Sequence, residues 1–94
     1  MPVDEVTVRS DARPRRVLGT RIRRKKDDFL IGDRDRALLL EGIAAFVFAA
    51  LDGRRSTLDV ARLVAEEYGA DEEEVLADVV EFLGGLREKG FVDW

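Results

Sequence analysis

The 94-residue chain is 46% hydrophobic and 38% charged and carries a formal net charge of −4, which suits one small domain with a single core. It has no cysteine and no histidine, so disulfides and thiolate nucleophiles are excluded, and the commonest general base and zinc ligand are missing. We therefore predict a binding or structural domain rather than an enzyme, with no metal site and no cofactor.

The charges are segregated along the chain. Residues 1–36 carry eleven Lys and Arg against seven Asp and Glu, a balance of +4, whereas residues 37–94 carry five against thirteen, a balance of −8. Eight basic residues and no acidic residue fall between Arg13 and Lys26. Such a stretch indicates either an anionic partner or a solvated strand face and tail attracted to the chain's own acidic helices.

The first third of the chain predicts a tail and a small sheet. Residues 1–14 lack a sustained hydrophobic period and are expected to form a mobile N-terminal tail, with the folded domain over residues 15–94. TRIRR (Thr20–Arg24) and DFLIG (Asp28–Gly32) are short β-prone runs joined by polar KKDD, which is typical of a hairpin. RALLL (Arg36–Leu40) follows as a third strand, so we expect a three-stranded antiparallel sheet.

The most apolar stretch of the chain predicts the first helix. From Ile43 to Leu51 apolar residues recur at i, i+3, i+4, i+7 and i+8, and Asp52-Gly53 ends the pattern, so a mostly buried helix is expected. This unbroken apolar run has nine residues, whereas a membrane-spanning helix needs about 20. We predict no membrane segment. The acidic start without an apolar run is unlike a signal peptide, so a cytoplasmic protein is expected.

Two capped helices complete the predicted fold. Ser56 with Asp59, and Asp71 with Glu74, are spaced as helix-capping pairs. The inner face predicted for the second helix consists of Leu58, Ala61, Leu63, Val64 and Tyr68. The main stripe predicted for the third helix consists of Val75, Val79, Phe82, Leu83 and Leu86. FVDW at the end adds a short strand or a packed tail. The predicted class is α+β, a winged helix-turn-helix-like fold with a three-stranded antiparallel sheet followed by three helices.

Three pieces of the sequence together resemble a known family. The chain has a predicted helix ending in LDG, followed by STLDVARLVAEEYG and then by ADVVEFLGGLREKGFV. In their order and spacing, these pieces resemble the PqqD-like domains, also called RiPP recognition elements. The resemblance covers roughly residues 15–94. It implies a domain that binds the leader segment of a ribosomally made precursor peptide and presents it to a modifying enzyme such as a radical-SAM maturase, a cyclase or a leader peptidase.

The resemblance also implies where the leader binds. It would add as a strand alongside Ala37–Leu40, in a groove shared with the third helix. The implied peptide-binding residues are Ala37, Leu38, Leu39, Leu40, Val75, Leu76, Asp78, Val79, Phe82 and Leu83. Members often carry Leu-Asn-x-Thr-Ala and an aromatic residue at the end of the third strand, whereas this chain has LEGIA (Leu40–Ala44). The pathway, whether quinone cofactor, lasso peptide or another, therefore stays open.

The third strand is apolar on both faces, which is unusual for an exposed edge. Ala37 and Leu39 fall on one side, and Leu38 and Leu40 on the other. Native proteins commonly protect such an edge with charge, proline or a cover, because it invites another strand. Either an incoming peptide pairs with it, or the third helix or the N-terminal tail covers its second face.

The third helix offers two flanks beside its core stripe. Leu76 and Val80 extend one flank, while Asp78 and Gly85 lie beside Phe82 on the other, and either flank could line a groove. Asp78 could accept a basic side chain of the leader or pair with a local cation such as Arg36.

Two other functions remain as alternatives. A DNA-binding winged helix needs cations on its recognition helix, but the third helix begins Asp-Glu-Glu-Glu and carries Arg87 and Lys89 at its far end. The sequence therefore argues against nucleic acid as the partner. A structural dimerisation module that uses the same apolar edge is the other alternative.

Overall fold

Residues 10–94, the part of the chain that the computed structural model describes, form five short strands and three helices. In chain order these are β1 (Arg15–Arg16), β2 (Arg21–Lys25), β3 (Asp28–Gly32), β4 (Ala37–Leu40), α1 (Ile43–Ala50), α2 (Thr57–Tyr68), α3 (Glu72–Glu88) and β5 (Val92–Asp93). The predicted α+β class is confirmed. None of the helices in this part of the chain is long and apolar enough to cross a membrane.

The main sheet has the strand order β2-β3-β4, with both pairs antiparallel. A two-residue turn joins β2 to β3, and its first residue, Lys26, has a φ of 57°. A positive φ is what a tight hairpin turn requires, because its twist matches that of the flanking strands. β2 begins and ends one residue later than the predicted strand Thr20–Arg24. The terminal strand predicted from FVDW is present as β5 and pairs antiparallel with β1, a partner that the sequence did not indicate.

One face of the sheet packs against the helices. Phe29, Ile31 and Leu40 point to that inner face and are buried. The ring of Phe29 meets the ring of Phe48 on α1 edge-on, with centroids 5.4 Å apart. Buried residues of the three helices complete the same core: Ala45, Val47, Phe48, Ala50, Val60, Ala61, Val64, Val75, Val79, Leu83 and Leu86. The opposite, outer face of the sheet carries the alternate residues of each strand.

The capping of α2 follows the sequence pattern. The Asp59 N–H donates to Ser56 Oγ and the Ser56 N–H donates to Asp59 Oδ2, both at 3.0 Å. The backbone and side-chain hydrogen bonds from Ser56 hold the pKa of Asp59 below its ordinary value of 3.8. Gly69 ends the helix in the left-handed conformation, with a φ of 62°. At α3 the Glu74 N–H donates to the Asp71 carboxylate at 3.1 Å.

The predicted inner face of α2 was wrong at two positions. Leu63 and Tyr68 are exposed, whereas Val60, which the prediction left out, is fully buried. The buried stripe instead follows Thr57, Val60, Ala61 and Val64, which is the i, i+3, i+4, i+7 spacing of one helix face. Leu63 lies beside that stripe, so its hydrophobicity alone was misleading.

The segment before β1 lies along the start of α2. The N–H groups of Thr57 and Leu58 donate to the carbonyl oxygens of Ala12 and Ser10, at 2.9 and 3.0 Å. Pro14 is fully buried. Residues 10–14 of the predicted tail therefore have defined backbone partners, while its residues 1–9 lie outside the described part of the chain.

Arg16 on β1 closes the end of α1. Its guanidinium donates to the carbonyl oxygen of Phe48 through Nη2 at 2.9 Å and lies 4.5 Å from the centre of the Phe48 ring. Burial lowers the pKa of Arg16. A cation at the C-terminal end of a helix is favourable because the last carbonyls carry partial negative charge. This contact ties the N-terminal strand to the core.

Candidate peptide-binding groove

β4 forms one edge of the main sheet, and its outward side has no strand partner within residues 10–94. The Asp33 N–H donates to the Arg36 carbonyl at 3.0 Å next to the turn, so Asp33 and Arg36 are a hydrogen-bonded pair. Along an antiparallel ladder, hydrogen-bonded pairs alternate with pairs that are not hydrogen-bonded. In the register Ile31↔Leu38 and Phe29↔Leu40, Leu38 and Leu40 are the residues that exchange hydrogen bonds with β3. The N–H and C=O groups of Ala37 and Leu39 therefore point away from the sheet. β4 offers two donors and two acceptors to an additional strand.

The side chains of β4 confirm that the strand is apolar on both faces. Leu40 is 3% exposed and points with Leu38 toward the helices. Leu39 is 54% exposed and lies with Ala37 on the outer face. β4 therefore has one face buried against the helices and one exposed outer face, and neither face carries a charge.

An apolar cavity of about 180 Å³ lies between α1, α2 and α3. It is lined by Ile43, Ala44, Val47, Val64, Val75, Asp78, Val79 and Phe82. A second hollow of about 430 Å³ continues along β4 toward the end of α3. It is lined by Leu38, Asp78, Glu81, Phe82, Gly85, Leu86 and Lys89. Because Asp78 and Phe82 line both, the two are contiguous along α3, and Leu38 of β4 lines the second. We call them together the β4–α3 groove.

The groove settles which flank of α3 faces β4. The flank that carries Asp78, Phe82 and Gly85 lines it. Leu76 and Val80 line neither hollow and pack against the core as partly buried residues. The flank therefore combines a large aromatic side chain, a glycine that leaves space, and the carboxylates of Asp78 and Glu81.

Asp78 is the charged group shared by both parts of the groove. Its side chain is exposed and forms no ion pair among residues 10–94. Of the two alternatives for Asp78, the pairing with Arg36 is absent, because Arg36 binds Asp33 at 2.9 Å and donates to the Lys89 carbonyl. The Asp78 carboxylate is left available to a cation from outside the described residues.

The predicted site residues divide into three groups. Leu38, Val75, Asp78, Val79 and Phe82 line the groove. Ala37 and Leu39 contribute outward backbone groups. Leu40 and Leu83 are buried beneath the groove in the core, and Leu76 lies off it.

The structure places Ile43 differently from the sequence-based prediction. It was predicted as core, but its side chain is 49% exposed and lines the apolar cavity. The preceding residue, Gly42, has a φ of 57°, a conformation that favours glycine. The chain turns there, so the first residue of α1 points toward the groove instead of the sheet. A glycine between an edge strand and a helix was the available signal.

Comparison with known proteins identifies the family. The family model described as coenzyme PQQ synthesis protein D (PqqD) matches residues 29–92. The chain belongs to the PqqD family. The match runs from β3 to β5 and includes every residue that lines the β4–α3 groove.

Two curated relatives extend the PqqD likeness over most of the chain. A PqqA binding protein of Gluconobacter oxydans is 34% identical over 87 residues, which cover 93% of this chain and 88% of the relative. A PqqA binding protein of Xanthomonas axonopodis pv. citri is 33% identical over 81 residues, which cover 84% and 88%. The similarity therefore includes β1 and β2 as well as the family-model range.

Solved structures show the same fold. The PqqD part of Methylobacterium extorquens PqqCD, described as a functional and stand-alone RiPP recognition element, has a TM-score of 0.79 at 26% identity, covering 97% of this chain and all of the other. PqqD of Xanthomonas campestris has a TM-score of 0.57 at 29% identity, with coverages of 89% and 96%. TbiB1, solved in complex with the TbiA(β) leader peptide, shares the fold with a TM-score of 0.77 at 15% identity, with coverages of 84% and 94%.

Proposed function

We propose that this PqqD-family chain binds the leader segment of a ribosomally made precursor peptide as an additional strand on β4. Its curated relatives are named for binding PqqA, and the structurally similar PqqD domain is described as a recognition element for such peptides. The observation that carries the proposal is the uncharged, unpaired β4 edge, whose residue Leu38 lines the β4–α3 groove.

Strand addition accounts for both the backbone and the side-chain chemistry of this site. An incoming peptide satisfies the outward N–H and C=O groups of Ala37 and Leu39, which supplies affinity that does not depend on its sequence. Alternate side chains of an added strand point to the same face. One apolar side chain then enters the cavity against Ile43 and Phe82, and this fit supplies selectivity.

The proposed peptide-contacting set follows from the lining of the groove. Ala37 and Leu39 contribute backbone groups, and the side chains that face the peptide are Leu38, Ile43, Ala44, Val75, Asp78, Val79 and Phe82. Leu40 and Leu83 support the groove from the core, and Leu76 has no direct contact. Asp78 is placed to accept a cationic side chain of the leader.

We further propose that the chain performs no chemistry on the peptide and delivers it to a separate modifying enzyme in the cytoplasm. The support is the absence of cysteine and histidine in the sequence and the recognition role in the description of the M. extorquens domain.

A fluorescence anisotropy titration tests the binding function. The probes are labelled PqqA of Gluconobacter oxydans and the precursor peptides encoded beside the gene of this chain, with a labelled DNA duplex as the control. We expect saturable one-to-one binding of at least one peptide and no binding of the duplex. Saturable binding of the duplex with no binding of any peptide would overturn the proposal.

A further inference from the structure

The outer face of the main sheet is uncovered throughout the described residues. The register places Arg23, Leu30 and Leu39 side by side on this face. Leu30 is 40% exposed and Leu39 is 54% exposed, although both lie in the middle of their strands. Isolated surface leucines are ordinary, but two that are adjacent across strands form an apolar patch that a partner can cover.

A hollow of about 310 Å³ lies next to this patch. Arg21, Gly32 and Ala37, which are paired across the three strands, are among the residues that line it. A Cβ at Gly32 would collide with the carbonyl oxygen of Arg36, so the position requires glycine. The charged residues that line the hollow are Arg21, Arg23, Asp33 and Arg36, beside the apolar side chain of Leu30. It can therefore receive a side chain that projects from another molecule.

The charge of the face points to an acidic partner. Arg21, Arg23 and Lys25 all project from β2 on the outer side, because residues two apart share a face. The strand residues of this face include one carboxylate, the half-buried Asp28 opposite Lys25, so the cations are in excess. None of them forms an ion pair within residues 10–94. A guanidinium binds a carboxylate through two parallel hydrogen bonds. The neighbouring leucines favour a protein surface over nucleic acid, whose phosphates offer them no apolar contact.

We propose that the outer face docks an acidic surface of the enzyme that acts on the bound peptide. This inference rests on the proposed function. A strand added to β4 widens the sheet, so its alternate side chains emerge on the outer face next to Leu39. A protein seated on Arg21, Arg23 and Leu30 would then contact the chain and the peptide together. The face thus gives the enzyme a surface that is complete only when the peptide is bound.

A double charge reversal on the outer face tests this docking surface. Arg21→Glu/Arg23→Glu is compared with Arg13→Glu/Arg54→Glu, which changes the net charge equally at exposed positions away from the main sheet. Circular dichroism verifies that both variants fold. Two quantities are measured for each, the affinity for the labelled peptide and the affinity of the peptide-loaded protein for the modifying enzyme encoded in the same gene cluster as that peptide.

We expect the outer-face variant to keep its peptide affinity within about twofold and to lose at least tenfold in enzyme affinity, because like charges replace complementary ones. The control variant should keep both affinities. Equal enzyme binding by the two variants, or no enzyme binding by the unmodified complex, would overturn the docking proposal. Since peptide binding is measured separately, its absence would instead count against the proposed function.

Discussion

The two edge strands of the main sheet have opposite chemistry. β2, with the sequence RIRRK, has four cations among its five residues, and every residue is exposed. β4, with the sequence ALLL, has no charge, and its residue Leu38 lines the β4–α3 groove. Charged side chains on an edge discourage pairing with another strand, whereas an uncharged edge permits it. The proposed strand addition is therefore directed to one side of the sheet, because β2 is protected by charge and β4 is open.

The largest expected effect is on the backbone of β4. Leu39→Pro removes an N–H that points to the open edge but no bond to β3, and proline is tolerated at such edge positions. We expect the protein to fold and its peptide affinity to fall about a hundredfold, because an acceptor of the peptide loses its partner and the ring obstructs pairing. Anisotropy titration with the bound peptide measures the loss.

Two variants serve as controls for Leu39→Pro. Leu39→Ala removes the same side chain but keeps the N–H, and Arg24→Ala alters the opposite edge, where Arg24 donates to the Lys26 carbonyl. Both should bind the peptide within about threefold of the unmodified protein. A loss in Leu39→Ala as large as that in Leu39→Pro would show that the side chain, not the backbone, carries binding.

A smaller effect is expected from the groove wall. Phe82→Ala should weaken peptide binding about tenfold, because it removes a large apolar surface shared by both parts of the groove. Leu76→Ala, on the other flank of α3, serves as the matched truncation and should lower stability while leaving peptide affinity unchanged. Calorimetric titration of both variants measures the difference. The reverse ranking would place the peptide on the opposite flank.

The smallest effect on binding is expected away from both edges. Ser56→Ala removes the acceptor that caps α2 and should lower the free energy of unfolding by about 1 kcal/mol. Chemical denaturation measures that change. Peptide affinity should stay unchanged, and a parallel drop in affinity would mean that stability anywhere in the fold, rather than the β4 edge, controls binding.

The order of elements and the two-faced edge were predictable because local patterns encode them. The capping pair at Ser56 fixed the start of α2, and the period of two in ALLL fixed which side chains share a face. The flank of α3 that lines the groove was not predictable. It depends on how that helix crosses the sheet, a packing angle that no local pattern specifies.

Other features escaped the sequence for related reasons. The exposure of Ile43 follows from the backbone turn at Gly42, and the spacing of apolar residues in the sequence does not reveal such a turn. The β1–β5 pair involves two residues on each side, too few to show any alternation. The contact of Arg16 with the Phe48 carbonyl joins residues that are far apart in sequence. In each case tertiary geometry decides the outcome.

Amide hydrogen exchange with and without bound peptide compares the two edges in one experiment. Because Lys25 and Asp28 close the two-residue turn, the outward amides of β2 are those of Ile22 and Arg24, whereas those of β4 belong to Ala37 and Leu39. We predict that a saturating peptide slows exchange at Ala37 and Leu39 at least tenfold and leaves Ile22 and Arg24 unchanged. Protection confined to Ile22 and Arg24, or binding that protects neither edge, would contradict strand addition on β4.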